Sequence, residues 1–154
     1  MNGPYVAVCG PGTATEEERG WAEEVGRRLG EAGAVVVCGG LGGVMDAAAR
    51  GAAAAGGTVI GILPGEDRLG ASEHLTVAIP TGMGEARNAL IARVADAVIA
   101  IGGEWGTLSE IALARKMGKP VVGLATWALG DRAESIVHSD SPEEAVGQTL
   151  ELLG

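Results

Sequence analysis

The part of the sequence best equipped for chemistry is IGGEWGTLSE, residues 101–110, in which glycines precede Thr107 and Glu110. It lies where an apolar run gives way to a helical pattern. Glycines in such a turn let the backbone approach an anion, which the N–H groups and dipole of the helix start attract. However, Thr107-x-x-Glu110 also has the spacing of a capping box, worth about 1 kcal/mol. The segment therefore predicts either a phosphate cradle beside an acid or a well-capped helix start.

Glu110 and Arg87 are the candidate reactive residues. A carboxylate at Glu110 would stabilise an oxocarbenium-like transition state or orient an attacking water, if it faces a ligand. Apolar residues lie three, four and seven positions after Arg87, which puts this side chain on the buried stripe of a helix. A buried arginine needs an anionic partner, either a ligand phosphate or Glu110. An ordinary structural Arg–Glu pair is the alternative interpretation.

Two further glycine-rich turns, CGPGT at residues 9–13 and CGGLGG at 38–43, also follow apolar runs. Ligands collect at the carboxyl ends of parallel strands, so three such turns favour binding, although glycine-rich corners also occur without a ligand. Trp105 and Trp127 would stack on a base or serve as core or interface packing. The predicted phosphate- and nucleotide-binding residues are Gly10, Gly40, Gly42, Gly43, Gly103, Trp105, Gly106 and Thr107.

The elements that must position these residues alternate between short apolar runs and helical patterns. This alternation predicts an α/β fold, a single Rossmann-like doubly wound parallel sheet flanked by helices, in one domain over residues 1–154. Thr13 with Glu16, or Thr15 with Glu18, would cap the first helix. The predicted strands cover 5–10, 34–40, 58–65, 75–82, 96–103, 120–125 and 135–138. The predicted helices lie within 13–33, 43–57, 84–95, 107–118 and 141–153.

Composition excludes several classes of function. The net charge is −9 with 11 scattered Lys and Arg residues, which argues against a nucleic-acid partner. No long apolar run or leader-like N-terminus is present, so we expect a cytoplasmic protein that does not bind a membrane. Cys9 and Cys38 fall at strand ends and are interpreted as buried thiols. His74 and His138 lack partners at ligand spacing, so no metal site is predicted.

Familiar cofactor motifs are missing from the sequence. The GPGTAT turn is not a dinucleotide fingerprint, and the second strand ends without the acidic residue that would bind a ribose. The only lysines, Lys116 and Lys119, lie at the far end of a helix from the glycine turns, which disfavours a Walker motif and a pyridoxal Schiff base. No cofactor is therefore predicted.

Two stretches, CGGLGGVMDAAARGA and GMGEARNALIARVADAVIAIGGEWGTLSEIALA, resemble the Lonely Guy (LOG) group of nucleoside 5′-monophosphate phosphoribohydrolases, within the SLOG superfamily. The resemblance covers most of the chain. It implies a Rossmann-like protein, usually a homodimer, that hydrolyses the N-glycosidic bond of AMP-like nucleotides to free base and ribose 5-phosphate without a cofactor. By the same match, Arg87 and Glu110 are catalytic, and Gly103, Gly106 and Thr107 bind the 5′-phosphate.

Several positions depart from the LOG pattern. Gly102 replaces a Pro, Glu104 adds an acid to the loop, and Glu85 and Asn88 stand where the pattern has His and Lys. These changes make the site more acidic and weaken its attraction for a phosphate dianion. The chain looks closer to a sister branch that includes molybdenum cofactor carriers. The leading hypothesis is a phosphoribohydrolase. The alternative is a non-catalytic carrier or sensor of a nucleotide or the molybdenum cofactor, and for either we expect a homo-oligomer, a dimer or tetramer, formed through the helix with Arg87.

Overall fold

The computed structural model describes residues 3–154, apart from the side chains of residues 131, 133 and 134. Seven parallel strands form one sheet in the order β4-β3-β2-β1-β5-β6-β7. The predicted Rossmann-like α/β class is confirmed. The strands are β1 Tyr5–Cys9, β2 Val35–Cys38, β3 Val59–Leu63, β4 Val77–Pro80, β5 Ala97–Ile101, β6 Val121–Leu124 and β7 Val137–Ser139. The helices are α1 Glu16–Glu31, α2 Val44–Ala54, α3 Asn88–Val94, α4 Trp105–Lys116 and α5 Pro142–Leu153.

Helices cover both faces of the sheet. Helix α1 packs against α2 and α5 on one face, and α3 packs against α4 on the other. The central strands are buried on both sides, which explains their almost continuous Val, Ile and Ala sequences. Cys9 and Cys38 are buried free thiols in this core, as predicted, and burial raises the pKa of both.

Three local predictions are refined by the structure. Helix α1 uses the Thr15–Glu18 capping box: Oγ1 of Thr15 accepts from the backbone N of Glu18 at 3.1 Å. The predicted strand at 75–82 is limited to Val77–Pro80, at the edge of the sheet. The predicted helix at 84–95 is a 3-10 turn, Gly84–Arg87, followed by α3. Gly84 has a φ of 58°, outside the α region, so a regular helix cannot begin there.

The strand order creates a switch point between β1 and β5. From β1 the chain builds outwards through β2, β3 and β4, then returns to place β5 on the opposite side of β1. The connections after these two central strands therefore diverge and leave a crevice at their carboxyl ends. The turns that follow β1 and β5 are two of the glycine-rich segments singled out in the sequence.

Candidate functional site

A pocket of about 730 Å³ opens at this switch point. The turn after β1, the start of α2, the 3-10 turn before α3 and the start of α4 all contribute to its wall. Its size lies within the usual range for small-molecule sites. The predicted residues that line it are Gly10, Arg87, Trp105, Gly106, Thr107 and Glu110.

The remaining predicted glycines stand apart from this wall. Gly40, Gly42 and Gly43 form the turn between β2 and α2 and are not among the described lining residues. Gly43 has a φ of 63°, and a Cβ there would lie 2.2 Å from the carbonyl oxygen of Pro11. Gly103 lies beside the indole of Trp127. The packing of the turns therefore accounts for Gly40, Gly43 and Gly103, whereas a Cβ at Gly42 would meet only an ordinary contact of 3.4 Å.

The start of α4 differs from the predicted capping box. The helix begins at Trp105, and its N-cap is Glu104, whose side chain makes no capping hydrogen bond. Thr107 is thus the third residue of the helix, and the predicted role of Thr107 as N-cap with Glu110 is wrong. The first backbone bond within the helix runs from the N–H of Leu108 to the carbonyl oxygen of Glu104 at 3.0 Å. The N–H groups of the three preceding residues have no partner within the helix.

Thr107 presents a buried hydroxyl at this helix start. The residue is 3% exposed and lines the pocket. Its Oγ1 atom is buried and has no hydrogen-bond partner among the described residues. Burying an unpaired hydroxyl costs about 1–3 kcal/mol, a penalty that a bound oxyanion would remove.

Arg87 is buried, as its position on the apolar stripe predicts, and reaches the pocket wall. Its Nε donates to the carbonyl oxygen of Ile62 at 3.0 Å, and one terminal nitrogen donates to Oδ1 of Asn88. The absence of a side chain at Gly39 makes room for the guanidinium. A Cβ at that position would lie 2.6 Å from Nη2 of Arg87 and 2.6 Å from Sδ of Met45.

Asn88 joins Arg87 to the glycine loop. Its Nδ2 donates to Oγ of Ser109 at 3.0 Å, and Oγ of Ser109 donates to the carbonyl oxygen of Gly106 at 2.7 Å. A continuous run of hydrogen bonds thus connects the guanidinium on one wall of the pocket to the start of α4 on the other. Asn88 fixes the relative positions of these two walls.

Glu110 is 9% exposed and lines the pocket. Burial raises the pKa of its carboxyl to about 7, and the positive charge of Arg87 partly offsets this rise. Among the residues that the structure describes, Arg87 and Glu110 form no ion pair, so the structural Arg–Glu pair is not the arrangement found. A carboxyl in this state can accept or donate a proton near neutral pH.

Trp105, at the mouth of the pocket, packs against a second tryptophan, Trp127. The rings of Trp105 and Trp127 lie with centroids 5.2 Å apart and planes inclined by 35°. Trp127 is half-buried, and its Nε1 donates to the carbonyl oxygen of Glu104 at 3.1 Å. Trp105 lines the pocket and is 77% exposed.

Sequence reasoning missed several lining residues. Ser109 lies within IGGEWGTLSE but gives no local signal, because its role depends on Asn88, a partner in another helix. The apolar wall has no periodic signature of its own, since its members come from several separate helices and loops. Gly12 and Leu41 lie in the glycine-rich turns but were not predicted as ligands, and the described lining residues that the sequence did not suggest are Met45, Pro64, Ala86, Ala89, Ser109 and Leu113.

Charge around the pocket is mostly negative. Glu85 and Glu104 are exposed lining residues, and Arg87 is the only cation among the described lining residues. Among the side chains that the structure describes within residues 3–154, no cluster of three or more His, Cys, Asp or Glu could hold a metal ion. Nor does any helix in that range have the length and apolar character needed to span a membrane.

The sequence model of the SLOG cluster4 family matches residues 3–150. The chain belongs to this family. The expected membership of the SLOG superfamily, in the branch related to molybdenum cofactor carriers, is confirmed. This SLOG cluster4 protein is also 43% identical over 145 residues to an uncharacterized protein of Archaeoglobus fulgidus, with 94% of this chain and 93% of that protein covered.

Two solved structures extend the comparison. The molybdenum cofactor binding protein from Rippkaea orientalis is 36% identical to this SLOG cluster4 protein, with a TM-score of 0.94, covering 100% of this chain and 99% of that chain. The molybdenum cofactor carrier protein from Chlamydomonas reinhardtii is 34% identical, with a TM-score of 0.90, covering 99% of both chains. The likeness extends over the whole fold.

Proposed function

We propose that this protein is a carrier that binds the molybdenum cofactor, a phosphorylated pterin, and does not cleave it. The observation that carries the proposal is its similarity, over almost the full length of both chains, to a molybdenum cofactor binding protein and a molybdenum cofactor carrier protein. A pocket at the switch point of this fold offers a site for such a ligand.

The start of α4 would hold the phosphate. The N–H groups of Trp105, Gly106 and Thr107 have no partner within the helix, and the helix dipole adds a partial positive charge. The unpaired hydroxyl of Thr107 lies in the same wall. Arg87 supplies a full positive charge on the facing wall. Together these groups provide several donors for phosphate oxygens.

The acidic lining suits the other end of such a ligand. A pterin ring carries N–H donors, and carboxylates such as those of Glu85 and Glu104 accept hydrogen bonds from them. The same charges repel a nucleotide dianion unless its phosphate is neutralised at the helix start. The metal would travel as part of the cargo.

Phosphoribohydrolase activity is the second candidate, favoured by one observation. Glu110 is a buried carboxyl that lines the pocket together with Arg87, and burial raises its pKa to about 7. This carboxyl could activate water beside a ribose, or stabilise the cationic sugar that forms as the glycosidic bond breaks.

One experiment separates the two candidates. The protein is incubated with AMP, GMP, IMP and CMP, and chromatography measures the free base. The carrier proposal predicts no base above the level of Glu110→Gln and buffer controls. Base release by the wild type that disappears in Glu110→Gln would establish the hydrolase instead.

The same proposal includes a homo-oligomer formed through the face that carries α3. Val77 and Ile79 pair in register with Ile60 and Ile62, and Ile62 packs with Ile91 of α3, so all share that face. Val77 and Ile79 are nevertheless exposed. Light scattering should give a dimer or tetramer that dissociates in Ile79→Lys. A monomeric wild type would contradict this assembly.

A nucleic-acid partner remains disfavoured, because the net charge of −9 would repel the phosphate backbone.

A further inference from the structure

The most unusual exposed side chain at the pocket is Trp105. Tryptophan is mostly buried in folded proteins, and this chain contains only three, with one Tyr and no Phe. Trp105 is 77% exposed and is also a lining residue of the pocket. Another highly exposed apolar side chain, Leu69, does not line the pocket. An aromatic ring is therefore exposed where a ligand would enter.

The ring of Trp127 packs against the ring of Trp105. The two ring centroids are 5.2 Å apart, within the range of favourable aromatic pairs. Trp127 is itself fixed, because its Nε1 donates to the carbonyl oxygen of Glu104, the residue immediately before Trp105. Its indole also packs against Gly103, where a Cβ would lie 3.1 Å from Nε1. The pair is thus attached to the loop that begins α4.

We propose that Trp105, supported by Trp127, is a stacking platform for the flat heterocyclic ring of the ligand. The Trp105 ring packs against Trp127 at a tilt of 35° and is 77% exposed, which leaves ring surface to receive a planar π-system. A ligand whose phosphate is bound at the start of α4 would extend its ring past Trp105, the first residue of that helix. This inference rests on the proposed function, because it names the residue that selects the ring of the same ligand.

The platform predicts that Trp105 contributes affinity only to ligands that contain a heterocyclic ring. Aromatic stacking on one ring is worth enough that truncation to Ala weakens binding by about tenfold. Ribose 5-phosphate has the phosphate and sugar but no heterocycle, so its affinity would not depend on Trp105. A platform also tolerates different rings, because every base and pterin presents a π-face.

The test compares three ligands, neopterin monophosphate, AMP and ribose 5-phosphate, by calorimetry. Trp105→Ala should lose about tenfold affinity for the ring-bearing ligands that the wild type binds, and keep its affinity for ribose 5-phosphate. Trp105→Phe should recover most of the loss. Trp127→Phe, which removes the bond to Glu104, should weaken ring binding by a smaller factor. Trp21→Phe, in α1, serves as the matched control and should change nothing.

The outcomes separate this inference from the proposed function. Pterin binding that is equally tight in Trp105→Ala would overturn the platform and leave the carrier proposal standing. Binding of AMP but not of neopterin monophosphate, lost in Trp105→Ala, would support the platform and count against the carrier proposal. Equal weakening of all three ligands would assign Trp105 to the phosphate loop alone and overturn the platform. Binding of none of them by the wild type would overturn both.

Discussion

Nδ2 of Asn88 donates to Oγ of Ser109 at 3.0 Å and so joins the start of α3 to the first turns of α4. The same amide accepts from Arg87, while Ser109 donates to the carbonyl oxygen of Gly106. The cation and the helix start that would share a phosphate are thereby held in one hydrogen-bonded arrangement. The LOG pattern has a lysine in place of this asparagine. Asn88 therefore lacks the positive charge of that lysine, but its hydrogen bonds hold Arg87 and Ser109 in place.

Asn88→Ala should therefore weaken phosphate binding without a change of fold. The substitution leaves a donor of Arg87 and an acceptor of Ser109 unpaired, which costs about 1–2 kcal/mol of stability, and it frees the guanidinium to move. We expect about a tenfold loss of ribose 5-phosphate affinity by calorimetry. Ser109→Ala and the double variant complete a cycle. Strictly additive effects would contradict a coupled arrangement.

Thr107→Val and Thr126→Val form a matched pair, since both threonines have a buried Oγ1 without a partner among the described residues. Removing an unpaired buried hydroxyl should stabilise either protein by about 1 kcal/mol in urea unfolding. Only Thr107 lines the pocket, so only Thr107→Val should lose phosphate affinity, by about tenfold. An unchanged affinity in Thr107→Val would show that its hydroxyl is not a phosphate ligand.

Glu110→Gln should stabilise the protein at high pH. The folded carboxyl has a pKa of about 7 against an ordinary value of 4.5, so the folded state binds the proton more tightly. Stability is then full below about pH 4.5 and falls as the pH rises through 7. Glu110→Gln should raise the free energy of unfolding by about 3 kcal/mol at pH 8.5 and by less than about 1 kcal/mol at pH 5. Urea unfolding of both proteins at these two pH values checks the prediction. An increase in unfolding free energy that does not depend on pH would contradict the raised pKa.

Gly39→Ala should displace Arg87 and leave the fold intact. The new Cβ would contact the ends of two flexible side chains, Arg87 and Met45, rather than backbone. We expect a stability cost of about 1 kcal/mol and at least a tenfold loss of phosphate affinity, measured by unfolding and calorimetry. Gly20→Ala, in the open surface of α1, is the control and should bind normally. Unchanged phosphate affinity in Gly39→Ala would show that Arg87 does not bind the phosphate.

The alternation of strands and helices was predictable, because buried parallel strands have Val- and Ile-rich sequences. The beginning of α4 was not. The Thr107-x-x-Glu110 spacing is a local pattern, whereas the bond from Trp127 to Glu104, the observed N-cap, spans 23 residues. Likewise, the fit of Arg87 against Gly39 depends on strand order, which no local spacing reveals.

The central claim is tested most directly by loading the purified protein with molybdenum cofactor released from a molybdoenzyme. After gel filtration, molybdenum is measured by mass spectrometry and the pterin by fluorescence of its oxidised form. The account predicts molybdenum and pterin in equal amounts, close to one per chain, with a marked loss in Thr107→Val. Retention of neither component by the wild type would contradict the carrier proposal.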